Sequence, residues 1–207
     1  MKFLNFGRVL CIGAHPDDVE YGMLGTIHKH KETQFDIIML SAGGDFDRTT
    51  GVRREAECHA IWDKVANATG QFCKPAGYVA DLREDEWINF LETNGYILES
   101  YDCICTLPDN DSHFEHRIAY GMVHGLLRHK RIGIISYRTP STLDSWIPNL
   151  FIEIDLKKKV SCLKLFKSQQ AKPFFTTESM NSFHSNYQCF KKGMKHVELF
   201  RVETIYN

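Results

Sequence analysis

The sequence predicts an α/β fold of three layers, with helices covering both faces of a mostly parallel central sheet. Three observations carry that prediction. Short, nearly continuous apolar runs occur at residues 8–14, 35–41, 101–107 and 132–137. Longer amphipathic stretches alternate with them. No repeat, low-complexity tract or long linker interrupts the alternation. A strand that is apolar on both faces must be covered on both faces, and alternation with helices makes the sheet parallel. At 207 residues the chain reads as a single domain, 1–207. Ligands in such folds bind outside the carboxyl ends of the strands, so the residues just after each strand matter most.

The elements follow in order. Residues 8–14 form a buried strand with Val9, Leu10, Cys11 and Ile12 at its centre, and 19–30 the helix after it. Residues 35–41 (FDIIMLS) form a second strand that ends at Gly43 and Gly44. Residues 52–66 are helical, with Ala56, Ala60, Ile61 and Val65 on one face, and so are 84–99, with Trp87, Phe90, Leu91 and Ile97. Residues 101–107 make a strand, 114–129 a helix, 132–137 a strand and 151–154 a short strand. Residues 156–169 read as a helix carrying Val160, Leu163 and Phe166, and 183–193 as a last helix.

Composition bounds the function. Hydrophobic residues make up 43% and charged residues 25%, the balance of a folded, soluble protein. The formal charge of −1 excludes a strongly basic nucleic-acid binder. No apolar stretch approaches the roughly 20 residues of a membrane span. The first residues lack a signal-peptide core and cleavage site, so a cytoplasmic protein is expected. The seven cysteines are odd in number and form no Cys-x-x-Cys, which points to reduced thiols acting as small hydrophobes.

Two polar clusters fall just after strands. The first is Ala14-His15-Pro16-Asp17-Asp18-Val19-Glu20. One aspartate can be explained as a helix cap; two plus a histidine cannot. Pro16 stiffens the turn, and His15 and Asp18, three apart, can aim at one point. The second is Asp111-Ser112-His113-Phe114-Glu115-His116-Arg117. His113 and His116 share a face at the helix start. A lone His-x-x-His is more often bland than functional; the pairing of two clusters at two strand ends raises it.

Together the clusters offer His15, Asp18 and one of His113 or His116. Two imidazoles and a carboxylate fit a catalytic zinc site with an open position for water. Asp17 is then available as general base, and the remaining histidine to steady charge on a substrate oxygen. The same ligands fit a non-haem Fe(II) oxygenase. A non-catalytic sugar or nucleotide binder is a third reading, and Asp17 and His113 argue against it.

The run AHPDDVE resembles the Ala-His-Pro-Asp-Asp-x-Glu signature of the PIG-L/LmbE-like N-acetyl sugar deacetylases. Ser41-Ala42-Gly43-Gly44, the run Arg53-Arg54-Glu55-Ala56-Glu57, the segment PDNDSHFEHR from Pro108 to Arg117, YRTPS from Tyr137, and Lys167-Ser168-Gln169 are similar to further family segments. The resemblance implies a Rossmann-like fold and a zinc-dependent amidase that removes acetate from an N-acetylglucosamine-type sugar, nucleotide- or lipid-linked forms included. It implies metal ligands His15, Asp18 and His116, the base Asp17, and His113 as acid or oxyanion stabiliser. It implies a substrate-side arginine, Arg54 or Arg53; Tyr137, which ends a strand, and Arg138, read from its own position, are expected as further substrate contacts. Glu20, Asp111 and Glu115 flank these positions and are expected to hydrogen-bond to them. A homo-oligomer is a further expectation.

The chain departs from the family pattern at three places. His113-Phe114-Glu115-His116 stands where His-Pro-Asp-His is usual, Arg138 where many relatives carry Glu, and Phe166 where histidine is frequent. Glu115 is one methylene longer, so its hydrogen bond must be re-aimed. Arg48, Arg53, Arg54 and Arg138 near strand ends suggest an anionic group on the sugar, since guanidinium pairs with phosphate; pairing with Asp45, Asp47, Glu55 and Glu57 is the competing account. His28, His30, His59, His124, His129, His184 and His196 are set aside. So is Lys157-Lys158-Lys159, as a solvated helix face. Trp146, Phe174 and Phe175 are expected to pack under a loop, with sugar stacking as the alternative.

Overall fold

A computed structural model describes residues 1–43, 49–94, 98–185 and 193–206. The elements run β1 (Arg8–Gly13), α1 (Asp18–Lys29), β2 (Gln34–Met39), α2 (Thr49–Trp62), β3 (Ala68–Phe72), α3 (Glu84–Thr93), β4 (Cys103–Thr106), α4 (Phe114–Leu127), β5 (Gly133–Tyr137), β6 (Leu150–Glu153), α5 (Leu156–Leu163), α6 (Thr177–His184) and β7 (Val197–Thr204). They build one seven-stranded sheet in the order β3-β2-β1-β4-β5-β7-β6. The first five strands are parallel, and β7 runs antiparallel to both β5 and β6. The expected α/β architecture with a mostly parallel sheet is what forms.

The near-continuous apolar runs become the buried centre. β4 and β5 are buried throughout, and β1 along all but Arg8. Helix α1 lies so close to the sheet that only glycine fits at two of its contacts. A Cβ on Gly22 would stand 2.3 Å from the Tyr137 ring, and one on Gly25 2.7 Å from Ile154. A buried ion pair holds α1 from behind. Glu198 on β7 accepts the Gly25 and Thr26 N–H groups, while Lys159 on α5 donates to Glu198 and to the Tyr21 carbonyl. Lys159 is fully buried, not on the solvated face that its lysine run suggests; the carboxylate and carbonyl satisfy its ammonium group.

Other elements differ from the sequence reading. The helix at 156–169 stops at Leu163, and Lys167–Gln169 form a separate 3-10 turn. The chain leaves the helix through tighter turns, the Leu165 and Phe166 N–H groups donating to the Cys162 and Leu163 carbonyls, and the Glu57 carboxylate then accepts both the N–H and the hydroxyl of Ser168. The helix at 84–99 ends at Thr93; Ile97 lies outside the described residues. Strands β3 and β7 have no counterpart in the sequence reading. β3 (ATGQF) alternates half-buried and exposed positions at the sheet edge, so it offers no apolar run. The helix expected at 183–193 lies mostly outside the described residues, and α6 precedes it. No helix among the described residues is long and apolar enough to cross a membrane.

Candidate active site

The sheet order places the site. β1 is hydrogen-bonded to β2 on one side and β4 on the other, so the order reverses between β1 and β4. At such a switch point the two outgoing loops part and leave a crevice. The β1 loop carries His15 to Asp18, and the β4 loop carries Asp111 to His116. A cavity of about 810 Å³ opens there, lined by His15, Asp17, Asp18, His113, Glu115 and His116 among others.

The turn from β1 into α1 is strained at one residue. Asp17 has φ 108°, a left-handed conformation that a residue with a Cβ adopts at a cost. Glu20 holds the turn by accepting the Asp17 N–H at 3.1 Å. Glu20 itself is fully buried and accepts the Trp62 indole N–H and the Cys58 thiol. Burial pushes its carboxyl up to about 7. Strain at a cavity-lining aspartate points to function.

His15 and His116 are oriented in the same manner. His15 Nε2 meets Glu115 Oε2 at 2.6 Å, leaving Nδ1 3.5 Å from Asp18 Oδ2. His116 Nδ1 lies 3.1 Å from Asp111 Oδ2, leaving Nε2 3.3 Å from Asp18 Oδ1. Each imidazole therefore turns one nitrogen to an orienting carboxylate and the other towards Asp18. That is the arrangement by which metal-ligating histidines are usually held. The extra methylene of Glu115 lets it span from α4 to His15 while its other oxygen accepts the Ala80 N–H. Asp111 is fixed in turn by the His113 N–H and the Thr139 hydroxyl.

His113 completes a trio. One nitrogen of each of His15, His113 and His116 lies within 4.8 Å of the others. Asp18 lies beside two of them, its Oδ2 3.5 Å from His15 Nδ1 and its Oδ1 3.3 Å from His116 Nε2. Among the described residues no carboxylate orients His113, and its Nδ1 is buried without a hydrogen-bond partner there. Burial, with His15 and His116 beside it, brings its imidazole down to about 4.

The electrostatics favour a cation. Burial disfavours charge on His116, yet Asp18 and Asp111 outweigh it and push the imidazole up to about 10. Burial also opposes ionisation of Asp18, but the facing His116 and His15 hold it well below the usual carboxylate range. Buried carboxylates thus surround the point where the imidazole nitrogens converge, and a divalent ion supplies the charge they favour. The donor set fits such an ion.

Of the expected substrate contacts, only Arg54 lines the cavity. Its Nη2 donates to Asp17 Oδ2 at 2.8 Å and to the Pro16 carbonyl at 2.7 Å. Gly43, with φ 62°, passes so close that a Cβ there would stand 2.5 Å from Arg54 Nη1. Burial raises the Asp17 carboxyl and Arg54 opposes the rise. Arg53 is exposed on α2 and pairs with Glu57, because the next residue takes the inward face. Tyr137 is fully buried and its hydroxyl donates to the Ile12 carbonyl, so it supports β1 from beneath. Arg138 lies over the Phe183 ring at 4.6 Å, away from the cavity. Arg48, Asp45 and Asp47 lie outside the described residues. The cluster of arginines expected to hold an anionic group is therefore not assembled among the described residues.

Some lining residues were not singled out as site residues in the sequence. Ser168 and Gln169 form part of one wall, tied to α2 through Glu57. Tyr21 and Phe174 line it too, the Tyr21 hydroxyl donating to the Phe174 carbonyl. Phe174 is half-buried at the cavity, whereas Trp146 and Phe175 are buried as packing residues. The Lys-Ser-Gln motif carries a signal through resemblance alone, Phe174 carries one as an aromatic residue in a loop, and Tyr21 carries none.

The PIG-L family model, described as GlcNAc-PI de-N-acetylase, matches residues 10–127. The chain belongs to the PIG-L family. That family is one of deacetylases, which hydrolyse an amide, and this chain is an enzyme of that class. No curated protein sequence matches it significantly. Solved structures share the fold. N,N'-diacetylchitobiose deacetylase from Pyrococcus horikoshii superposes with a TM-score of 0.74 at 18% identity, over 97% of this chain and 85% of that one. The 4-carboxy-2-hydroxymuconate hydratase of Pseudomonas putida KT2440 gives 0.71 at 14%, over 100% and 98%. A zinc-inhibited form of teicoplanin deacetylase gives 0.67 at 10%, over 93% and 96%. A hydratase and deacetylases on one fold mean that the fold does not choose the reaction.

Proposed function

We propose that the protein removes the acetyl group from an N-acetylated amino sugar, with a single Zn2+ held by His15, Asp18 and His116. The observation that carries this reading is the paired orientation of His15 and His116, each braced by a carboxylate and each facing Asp18. His113, which no carboxylate among the described residues braces, is left for the substrate. Membership of a deacetylase family supports amide hydrolysis, and the acetamido-sugar substrate follows from the relatives' names.

When bound, the ion supplies a water of near-neutral pKa and positive charge for the amide carbonyl. Asp17 adjoins the ligand Asp18 and takes the proton from the attacking water. Arg54 donates to one Asp17 oxygen and so orients the carboxylate in the cavity wall. His113 donates a hydrogen bond to the carbonyl oxygen as charge develops on it. The leaving amine receives its proton from Asp17, which has just gained one, and acetate departs.

The test is acetate release from N-acetylglucosamine and its glycosides, by protein carrying one equivalent of Zn2+, with and without oxygen. Because a related deacetylase has a zinc-inhibited form, the metal is titrated to one equivalent, not added in excess. Oxygen-independent release that tracks zinc content supports the reading. Absence of release across the panel, or a strict need for Fe(II) and oxygen, overturns it.

A further inference from the structure

Among the described residues that line the cavity, one aromatic ring is left exposed. Phe114, the first residue of α4, is 53% exposed, whereas Tyr21 is buried and Phe174 and Tyr78 are half-buried. Its ring is ordered by stacking parallel to His113, at a centroid distance of 5.7 Å and an angle of 9°. His113 in turn stacks on His116 at 4.6 Å and 20°. The rings thus form a run from the proposed metal ligand His116, through His113, to Phe114.

This run gives Phe114 a place along the substrate. In an N-acetylated amino sugar the amide nitrogen is bonded directly to a ring carbon. With the amide held at the metal, a first ring beside His113 would bring the unit attached to it to Phe114, one ring further along the run. A phenyl face offers no hydrogen-bond donor and no charge, so it does not hold a phosphate. Among the described residues, the arginines expected to do so are engaged elsewhere, Arg53 with Glu57, Arg54 with Asp17 and Arg138 over Phe183, and Lys172 in the cavity wall lies over the Phe174 ring at 5.6 Å. What a phenyl face takes is another flat apolar face, either the C–H face of a sugar ring or an aromatic ring.

We infer that Phe114 is a specificity-determining residue, a stacking platform for a flat, uncharged ring joined to the acetamido sugar. The inference deepens the deacetylase reading and rests on it.

The experiment compares acetate release from free N-acetylglucosamine, N,N'-diacetylchitobiose and an aryl N-acetylglucosaminide by the zinc-loaded protein and by its Phe114→Ala and Phe114→Trp variants. Melting temperatures confirm folding. In Phe114→Ala, kcat/KM for the two ring-bearing substrates should fall about 3–10-fold more than for the free sugar, mainly through KM. Phe114→Trp should restore the preference. A loss confined to the aryl compound identifies an aromatic unit as the partner; a loss for both identifies any flat ring. Equal losses in kcat for all three would mean that Phe114 acts only by propping His113, and would overturn the inference. So would no change at all. If the parent protein releases no acetate, the deacetylase reading fails by itself. Saturation-transfer NMR of the same three compounds then decides: contact to the second ring that Phe114→Ala abolishes supports the platform, and unchanged or absent contact overturns it.

Discussion

Helix α4 carries two clusters of histidine and carboxylate, and they have different fates. At its start, His113, Glu115 and His116 meet His15, Asp17, Asp18 and Asp111 beside a cavity. Further along, Tyr120 and His124 both donate to Glu203 Oε2, and Arg201 bridges Glu203 to Asp109. The residue types are nearly the same. The second cluster has a cation for its carboxylates, a single imidazole and no part in the cavity lining. The first has several imidazoles converging on one point and more carboxylates than side-chain cations. Convergence and unbalanced charge, not the presence of histidine and aspartate, separate a place built for an ion from a place that ties a helix to a strand.

The largest expected effect would break the comparison at the first cluster. Asp18→Ala should remove the shared carboxylate between His15 and His116, so zinc content falls below one equivalent and acetate release becomes undetectable. Asp17→Asn should keep the zinc and lower kcat by about 10²–10⁴-fold, the usual worth of a general base; metal analysis on the same sample separates the two roles. Glu115→Ala and Asp111→Ala remove only the braces, and each should weaken zinc binding by about 10–100-fold, measured by chelator competition. At the second cluster, His124→Ala should leave acetate release within about two-fold and lower the melting temperature by a few degrees, the response of a structural contact.

The smallest effect concerns pH. Burial opposes ionisation of Glu203, but His124, Tyr120 and Arg201 outweigh it, and its carboxyl sits at about 2. A carboxylate with a depressed folded-state pKa stabilises the fold above its unfolded pKa and loses that contribution as pH falls towards the folded value. The stability advantage of the parent over Glu203→Gln, about 1–3 kcal/mol at neutral pH, should therefore shrink between about pH 5 and pH 2. A constant difference across that range in urea titrations would remove Glu203 from the account.

Legibility in the sequence followed the range of the interactions. The β1 loop was readable because its residues are adjacent in the chain. His15 and Asp18 lie three apart across a turn stiffened by Pro16, so spacing alone suggests that they converge, and they do. The Glu57–Ser168 contact was not readable, because its partners are 111 residues apart and neither is unusual where it stands. Strand β7 offers no apolar run to read, because Val197 to Thr204 mixes charged with apolar residues; its Glu198 is buried against α1, where Lys159 and two backbone N–H groups satisfy it.

The substrate side shows the limit most plainly. Arginine at a strand end or helix start suggests an anion site, yet adjacent positions on α2 face opposite ways. Arg54 turns in to Asp17 and Arg53 turns out to Glu57. What the sequence by itself determined was the layered parallel fold and the set of chemical groups after β1 and β4, since burial pattern and short spacing are local properties of a chain. Only the tertiary structure decided which of those groups meet, which brace one another and which face solvent. Those outcomes depend on how strands far apart in the chain lie side by side, and on which buried charge finds a partner when they do.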